Sequence, residues 1–256
     1  MEISNFVYYI LEREAILKKR IAMYPKPWTT DPILQAHHFC NNRRQDDRGT
    51  KEIQAVVKEL EHNVENLPAV YTLARLFNKA STLRTILEGG DIKDVRAKGE
   101  PIFHVAYVVT TCGVAMDKVD YVFRVTNDVM LTRIPNGSLS AAYNALLSVD
   151  GLGSFLAGQV VADLKNDRYL LQTACPDWHS FSVMGPGSKK GLDYIYGDGR
   201  TSHGNYATRM QHLCEVLPQE IKELGLHRQD MQNCLCEFSK FMRYKNNDPG
   251  RRRYYQ

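Results

Sequence analysis

The run Leu146-Leu-Ser-Val-Asp-Gly-Leu-Gly-Ser-Phe-Leu-Ala157 constrains the fold more than any other stretch of this chain. Apolar residues at helical spacing flank it, over Leu139 to Val149 and over Ser154 to Leu164. The run therefore predicts two helices joined by the tight turn Asp150-Gly-Leu-Gly153. Glycine accepts the dihedral angles of such a turn without a Cβ clash. The second glycine leaves amide N–H groups open at the start of the following helix, where the dipole favours an anion. Ala157 lets the two helices approach closely. A hairpin of this kind holds a DNA phosphate without reading sequence. An ordinary turn between packed helices uses glycine in the same way, and the run alone leaves both readings open.

The rest of the chain is patterned for helices as well. Ile3, Phe6, Val7, Ile10 and Leu17 mark a first helix, with Lys18-Lys19-Arg20 at its C-terminal end. Ile53, Val56, Val57, Leu60 and Val64 mark a second, closed by Pro68. Val70 to Leu87 reads as one or two more, stopped by Gly89-Gly90; Val119 to Leu131 leans to helix. Helices are expected near Met210 to Leu224 and over Gln229 to Lys245. Tyr24 to Pro32, with three prolines, is expected to be extended. Gly185 to Gly191 reads as a glycine-rich loop, and the β-branched His104 to Thr111 is the one candidate strand. Without repeats or a linker, the expected architecture is mostly α. It is a single compact helical domain over 1–256, with a hairpin module at about 138–166 and a basic tail over 240–256.

Composition narrows the function classes. A hydrophobic fraction of 43% and a charged fraction of 24% fit a soluble globular chain. No apolar run approaches the roughly 20 residues of a membrane span, and the stretch from Met1-Glu2 has no signal-peptide pattern. The six cysteines form no C-x-x-C pair and no two histidines stand four apart. The expectation is reduced thiols in an intracellular, cytoplasmic protein with neither metal nor cofactor. No G-x-x-x-x-G-K-[ST] segment occurs, which disfavours a P-loop kinase. The charge of +4 is uneven: six basic residues fall between Lys240 and Arg253, ending in Arg251-Arg252-Arg253 before Tyr254-Tyr255. Cations interleaved with aromatics suit a phosphate backbone, and a solvated tail looks the same.

Asp177, in Cys175-Pro-Asp-Trp-His179, lies 24 residues beyond Gly153. The hairpin with this aspartate resembles the helix-hairpin-helix of DNA base-excision glycosylases, which implies a glycosylase-like helical fold. Five stretches carry a more specific resemblance: Pro27 to Leu34 (PWTTDPIL), Phe39 to Thr50 (FCNNRRQDDRGT), Gly151 to Asp163, Gly185 to Leu192 (GPGSKKGL) and Leu235 to Lys240 (LCEFSK). Together they resemble a glycosylase-related family of thymine hypermodification enzymes, best known from bacteriophages. Its members are amino acid:DNA transferases, or glutamyl/putrescinyl-thymine pyrophosphorylases, and related sequences form the helical domain of 5-hydroxymethyluracil DNA kinases. The resemblance runs from Phe6 to Tyr254 and departs at Arg43, where an aromatic residue is expected.

The resemblance implies a transferase acting on double-stranded DNA that contains modified uracil. It would replace the phosphate of 5-phosphomethyl-deoxyuridine with a free amino acid or amine, after a base kinase has acted, in the service of restriction evasion. Asp177 is then the first choice as general base for the amine and Asp47 the second. Arg44, Arg48, Lys189 and Lys190 are candidate phosphate ligands, with backbone donors from Gly187 and Ser188. Trp178 or His179 would line the pocket for an extruded base. Gly151, Gly153, Ser154, Arg251, Arg252 and Arg253 are the candidate DNA contacts. Asn41, Gln159, Asp163, Glu237 and Lys240 complete the candidate substrate set. Plainer readings stand beside these: a solvated Gln159–Asp163 pair, a structural Asn41–Arg44–Asp47 network, a surface Glu237–Lys240 ion pair and a core Trp28. The rival functions are a glycosylase excising a modified base and a non-catalytic DNA-binding module.

Overall fold

The computed structural model describes residues 1–104 and 110–248; Arg251, Arg252, Arg253 and most of the candidate strand His104 to Thr111 lie outside the described residues. The helices run in the order α1 (Ser4–Ile21), α2 (Pro32–Ala36), α3 (Arg48–Glu59), α4 (Leu67–Phe77), α5 (Ala80–Leu87), α6 (Ile92–Ala97) and α7 (Lys118–Leu131). They continue with α8 (Leu139–Leu147), α9 (Ser154–Lys165), α10 (Pro186–Tyr196), α11 (Tyr206–Val216), α12 (Gln219–Lys222) and α13 (Arg228–Lys245). No strand occurs among the described residues. The helices group into two compact units, residues 1–47 with 179–248 and residues 48–178. No proline- or glycine-rich linker marks either crossing, which is why the sequence reads as one domain.

In the unit of residues 48–178, α4 is the central helix and packs against α7 and α9. Asn66 caps it, accepting from the Ala69 amide at 2.9 Å, and Pro68 sits in its first turn. Pro68 thus opens α4 instead of closing the helix before it, which ends at Glu59. Every residue from Tyr71 to Phe77 is buried, as in a helix enclosed on all sides. α8 and α9 form the expected helical hairpin. Gly151 has φ +96°, and a Cβ there would stand 2.6 Å from Val125 Cγ2 and 2.7 Å from Tyr121 Oη. Both the dihedral angle and the space require glycine.

In the other unit, α1 and α13 meet through an aromatic cluster. Phe6 and Phe238 have centroids 5.0 Å apart, Tyr9 and Phe241 5.4 Å, and Tyr9 and Phe39 5.9 Å. The Gly185 to Gly191 run, expected to be a loop, instead forms the first half of α10. Pro186 is tolerated in the first turn, and the glycines serve close packing on α13. A Cβ on Gly187 would lie 2.3 Å from Cys236 Sγ, and one on Gly191 would lie 2.3 Å from the Leu235 carbonyl oxygen. The expected Met210 to Leu224 helix is split at Pro218 into α11 and α12.

Gly191→Ala is expected to lower stability by about 1–3 kcal/mol, because backbone atoms of α13 must shift to admit the methyl group. Gly49→Ala meets nothing within 4 Å on α3 and is the control; it should be neutral or stabilising by up to about 1 kcal/mol. Thermal unfolding of the two variants compares them, and equal midpoints would refute the close α10–α13 contact.

Candidate functional site

The stretch Phe39 to Asp47 is fixed by side chains from α1 and α13. Arg13, which falls in the apolar register of α1 with Ile10 and Leu17, is 4% exposed. Its guanidinium donates to the Phe39 carbonyl at 2.9 Å and to the Cys40 carbonyl at 3.2 Å. Asn42 donates to the Ile10 carbonyl at 2.9 Å, and Asn233 donates to the Asn41 carbonyl at 2.8 Å. Asn41 closes the loop on itself: its amide donates to Asp47 Oδ1 and its side chain to the Asp46 carbonyl, both at 2.8 Å. Arg43 pairs with Glu14 at 3.3 Å and donates to the Leu224 carbonyl. The position where an aromatic residue was expected is therefore a structural cation.

This loop gathers charge around two thiols. Glu237 accepts from the Cys40 amide at 3.1 Å and stands 3.7 Å from Lys240, which donates to the His38 carbonyl and lies over the Phe39 ring. Glu237 and Lys240 thus tie α13 to the loop instead of forming a solvated pair. Burial pushes Asp47 above the ordinary carboxylate value, against the Asn41 N–H, the Arg44 charge and a Cys40 hydrogen bond, all of which favour its ionised form. Burial also raises the Cys40 thiol well above its usual range and Cys236 to about 11, with Glu237 adding to both and Arg44 and Lys240 opposing. Asn41, Arg44, Asp47, Glu237 and Lys240 therefore come together as one partly buried cluster. Cys40, Cys236, Arg13 and Asn233 belong to it without having been singled out. The register of Arg13 was a usable signal; the two cysteines lie inside quoted motifs but carry no spacing that marks them.

The residues of α10 serve mainly structural ends. Ser188 is fully buried, exchanges hydrogen bonds with Gly185 at 3.0 and 3.1 Å and accepts from Tyr206 Oη at 3.2 Å. Gly187 abuts Cys236 and so brings the start of α10 to the cluster. Lys189 pairs with Asp193 at 2.9 Å, and Lys190 stands 3.7 Å from Asp248.

The remaining candidates lie in the unit of residues 48–178. Asp177 accepts from the Ser138 hydroxyl at 2.9 Å, the Leu139 amide at 3.0 Å and the Ser140 amide at 2.8 Å. These donors at the start of α8 hold its carboxyl below the usual value, overcoming desolvation. The Lys165 ammonium lies 4.9 Å from the centroid of the Trp178 ring. Arg48 is 87% exposed and pairs with Glu52 on its own helix. Gln159 and Asp163 are 7% and 1% exposed, so the solvated-pair reading is wrong. Asp163 is engaged bidentately by Arg75, whose guanidinium also donates to the Thr50 hydroxyl at 3.1 Å. Gly153 caps α9 without a side chain, and Ser154 beside it is exposed. No group of three or more potential metal ligands occurs among the described residues, and none of their helices is long and apolar enough to cross a membrane.

The chain is similar to a curated protein named 5-hmdU DNA kinase from Bacillus phage SP10, with 26% identity over 293 aligned positions. The alignment covers 95% of this chain and 46% of the relative, so the chain spans about half the length of the protein it matches. No solved structure matches it. The family described as 5-hmdU DNA kinase, helical domain, matches residues 2–250, and the chain belongs to that family.

Proposed function

We propose that this chain acts in thymine hypermodification, on uracil bearing a substituted 5-methyl group in double-stranded DNA. Its step replaces the phosphate of 5-phosphomethyl-deoxyuridine with an amino acid or amine. The observation that supports this reading most is the Asp47 carboxylate, desolvated, raised in pKa and set beside Arg44. In the step, the amine nitrogen bonds to the exocyclic methylene carbon as the carbon–oxygen bond to phosphate breaks. Asp47 takes the proton from nitrogen, and Arg44 neutralises the departing phosphate. Asp177 is the weaker proton acceptor, since its ionised form is already satisfied by three donors.

The relative's name favours a second reading, phosphorylation of the 5-hydroxymethyl group. This chain lacks a Walker A segment, so a P-loop nucleotide site would have to come from elsewhere. Incubation with phosphomethyluracil DNA plus amino acids, and separately with hydroxymethyluracil DNA plus ATP, distinguishes the two. Digestion to nucleosides and mass spectrometry should give an amine-bearing nucleoside in the first arm. A phosphomethyl nucleoside in the second supports the kinase, an abasic site supports a glycosylase, and unchanged DNA supports a binding module.

The hairpin and Arg251, Arg252 and Arg253 supply phosphate contacts in this reading. Gly153→Asp tests the hairpin, because the position has open space and ordinary dihedral angles. An aspartate N-cap should stabilise α9 by a few tenths of a kcal/mol and place a negative charge where the phosphate binds. DNA affinity should fall alike on all sequences; unchanged affinity in a filter-binding titration would reduce the hairpin to a turn.

A further inference from the structure

The C-terminal end of α1 and the turn after it form a projection that the cluster above does not use. Lys18 to Trp28 holds four cations, Lys18, Lys19, Arg20 and Lys26, and no carboxylate. The same segment exposes large apolar side chains: Ile21 is 69% exposed, Met23 89% and Tyr24 63%. Met23 has φ 56°, the left-handed region that usually requires glycine after a helix. Its amide donates to the Arg20 carbonyl at 3.1 Å, and the Tyr24 amide donates to the Lys19 carbonyl at 3.0 Å. These are the two bonds that close a helix through a left-handed residue. The turn is rigid. Trp28 Nε1 donates to the Tyr24 carbonyl at 2.8 Å, Lys19 donates to the Trp28 carbonyl at 2.7 Å, and Arg20 and Lys26 lie 5.6 and 5.0 Å from the centroid of the Trp28 ring.

The helix dipole accounts for Lys18, Lys19 and Arg20. It does not account for Lys26, nor for a strained backbone that holds a methionine almost wholly in solvent. A strained residue at an exposed tip is where function is to be sought. Cations without a carboxylate fit a polyanion. Exposed apolar tips between them fit a polyanion with an apolar interior, which is what stacked bases offer.

We infer that this projection is a DNA wedge. Lys18, Arg20 and Lys26 hold phosphates while Met23, backed by Ile21, enters between neighbouring bases of the duplex and unstacks them. The inference rests on DNA being the substrate, as proposed above.

The test uses the full chain and duplex DNA carrying 2-aminopurine at successive positions, a base that brightens when unstacked. The wild type should bind and raise the fluorescence at one or two positions. Met23→Gly suits the left-handed backbone, so thermal unfolding should show it folded; it should lose most of the fluorescence rise and keep the salt dependence of binding. The Arg20→Ala, Lys26→Ala double variant should make the slope of log affinity against log salt shallower by about 2, at ~0.9 per phosphate contact. The inference is overturned if the wild type binds without unstacking, if Met23→Gly unstacks as the wild type does, or if the double variant keeps the wild-type slope. Met23-dependent binding to phosphatidylserine vesicles with no Met23 effect on DNA also overturns it. A wild type that binds no DNA overturns the substrate reading and the wedge together, whereas normal DNA binding with unaffected variants removes the wedge alone.

Discussion

Asp47→Asn is expected to lower amine transfer to phosphomethyluracil DNA by about 10²–10⁴-fold, the usual worth of a positioned general base. DNA affinity should stay unchanged, and the unfolding temperature should stay level or rise. The rise follows from the direction of the Asp47 shift. Burial raises its folded-state pKa above the ordinary 3.8, so the protonated form is the one the fold prefers. The stability that this group contributes is fully present below its ordinary value and is lost as pH rises through the raised folded value. An asparagine carries no charge to desolvate and still accepts from the Asn41 amide, so above that window the variant gains on the wild type. Wild-type transfer should increase as pH passes through the same window, where Asp47 becomes ionised and able to accept a proton. The variant's profile should lack that limb. Asp177→Asn is the comparison. Its depressed carboxyl gives stability that is present above the ordinary value and lost as pH falls through the lowered one. The substitution should therefore cost stability at neutral pH and little rate. Loss of transfer from Asp177→Asn at an unchanged unfolding temperature, with Asp47→Asn active, would reverse the assignment.

Local periodicity made most of the fold legible. α1, α4, α5, α8, α9 and α13 lie where apolar spacing placed them, because each buries the apolar residues that repeat at the helical period. The failures have distinct physical causes. Gly185 to Gly191 reads as a loop because glycine is usually a breaker, whereas here it removes side chains so that α10 can touch α13. Pro68 reads as a stop but stands in the first turn of α4, since proline is as suited to a first turn as to a stop, and the run Met210 to Leu224, which reads as one helix, is divided at Pro218. At the site, motif membership brought Asn41, Arg44, Asp47, Glu237 and Lys240 forward, and they cluster. The burial that separates Asp47 from Asp177 was not legible. Both are acidic residues in loops, and only the fold shows one desolvated and the other satisfied by the amides of α8. Gln159 and Asp163 show the same blindness: a pair four apart on a helix reads as solvated unless its partner, Arg75, is known to sit on a helix enclosed on all sides.

That partner supports the second large effect. Asp163→Ala should lower stability by about 3–5 kcal/mol, since it removes the carboxylate that engages the buried Arg75 guanidinium bidentately. Arg75 is 2% exposed and Asp163 1% exposed, so water cannot take over the carboxylate's place. Thr50 offers one hydroxyl oxygen, which does not neutralise a cation. Replacing both partners, as Arg75→Met with Asp163→Leu, removes the desolvation cost together with the attraction, and most of the lost stability should return. Urea unfolding of the two single variants and the double variant measures the coupling directly. A single-variant loss below about 1 kcal/mol would mean that the pair is not buried and uncompensated as described. The double variant also separates stability from function. The ion pair joins α9 to α4, and α9 is the second helix of the hairpin proposed to hold a phosphate. If the apolar pair restores stability and DNA affinity together, the ion pair is a matter of folding alone. If stability returns and affinity does not, the pair sets the angle at which the start of α9 meets the DNA.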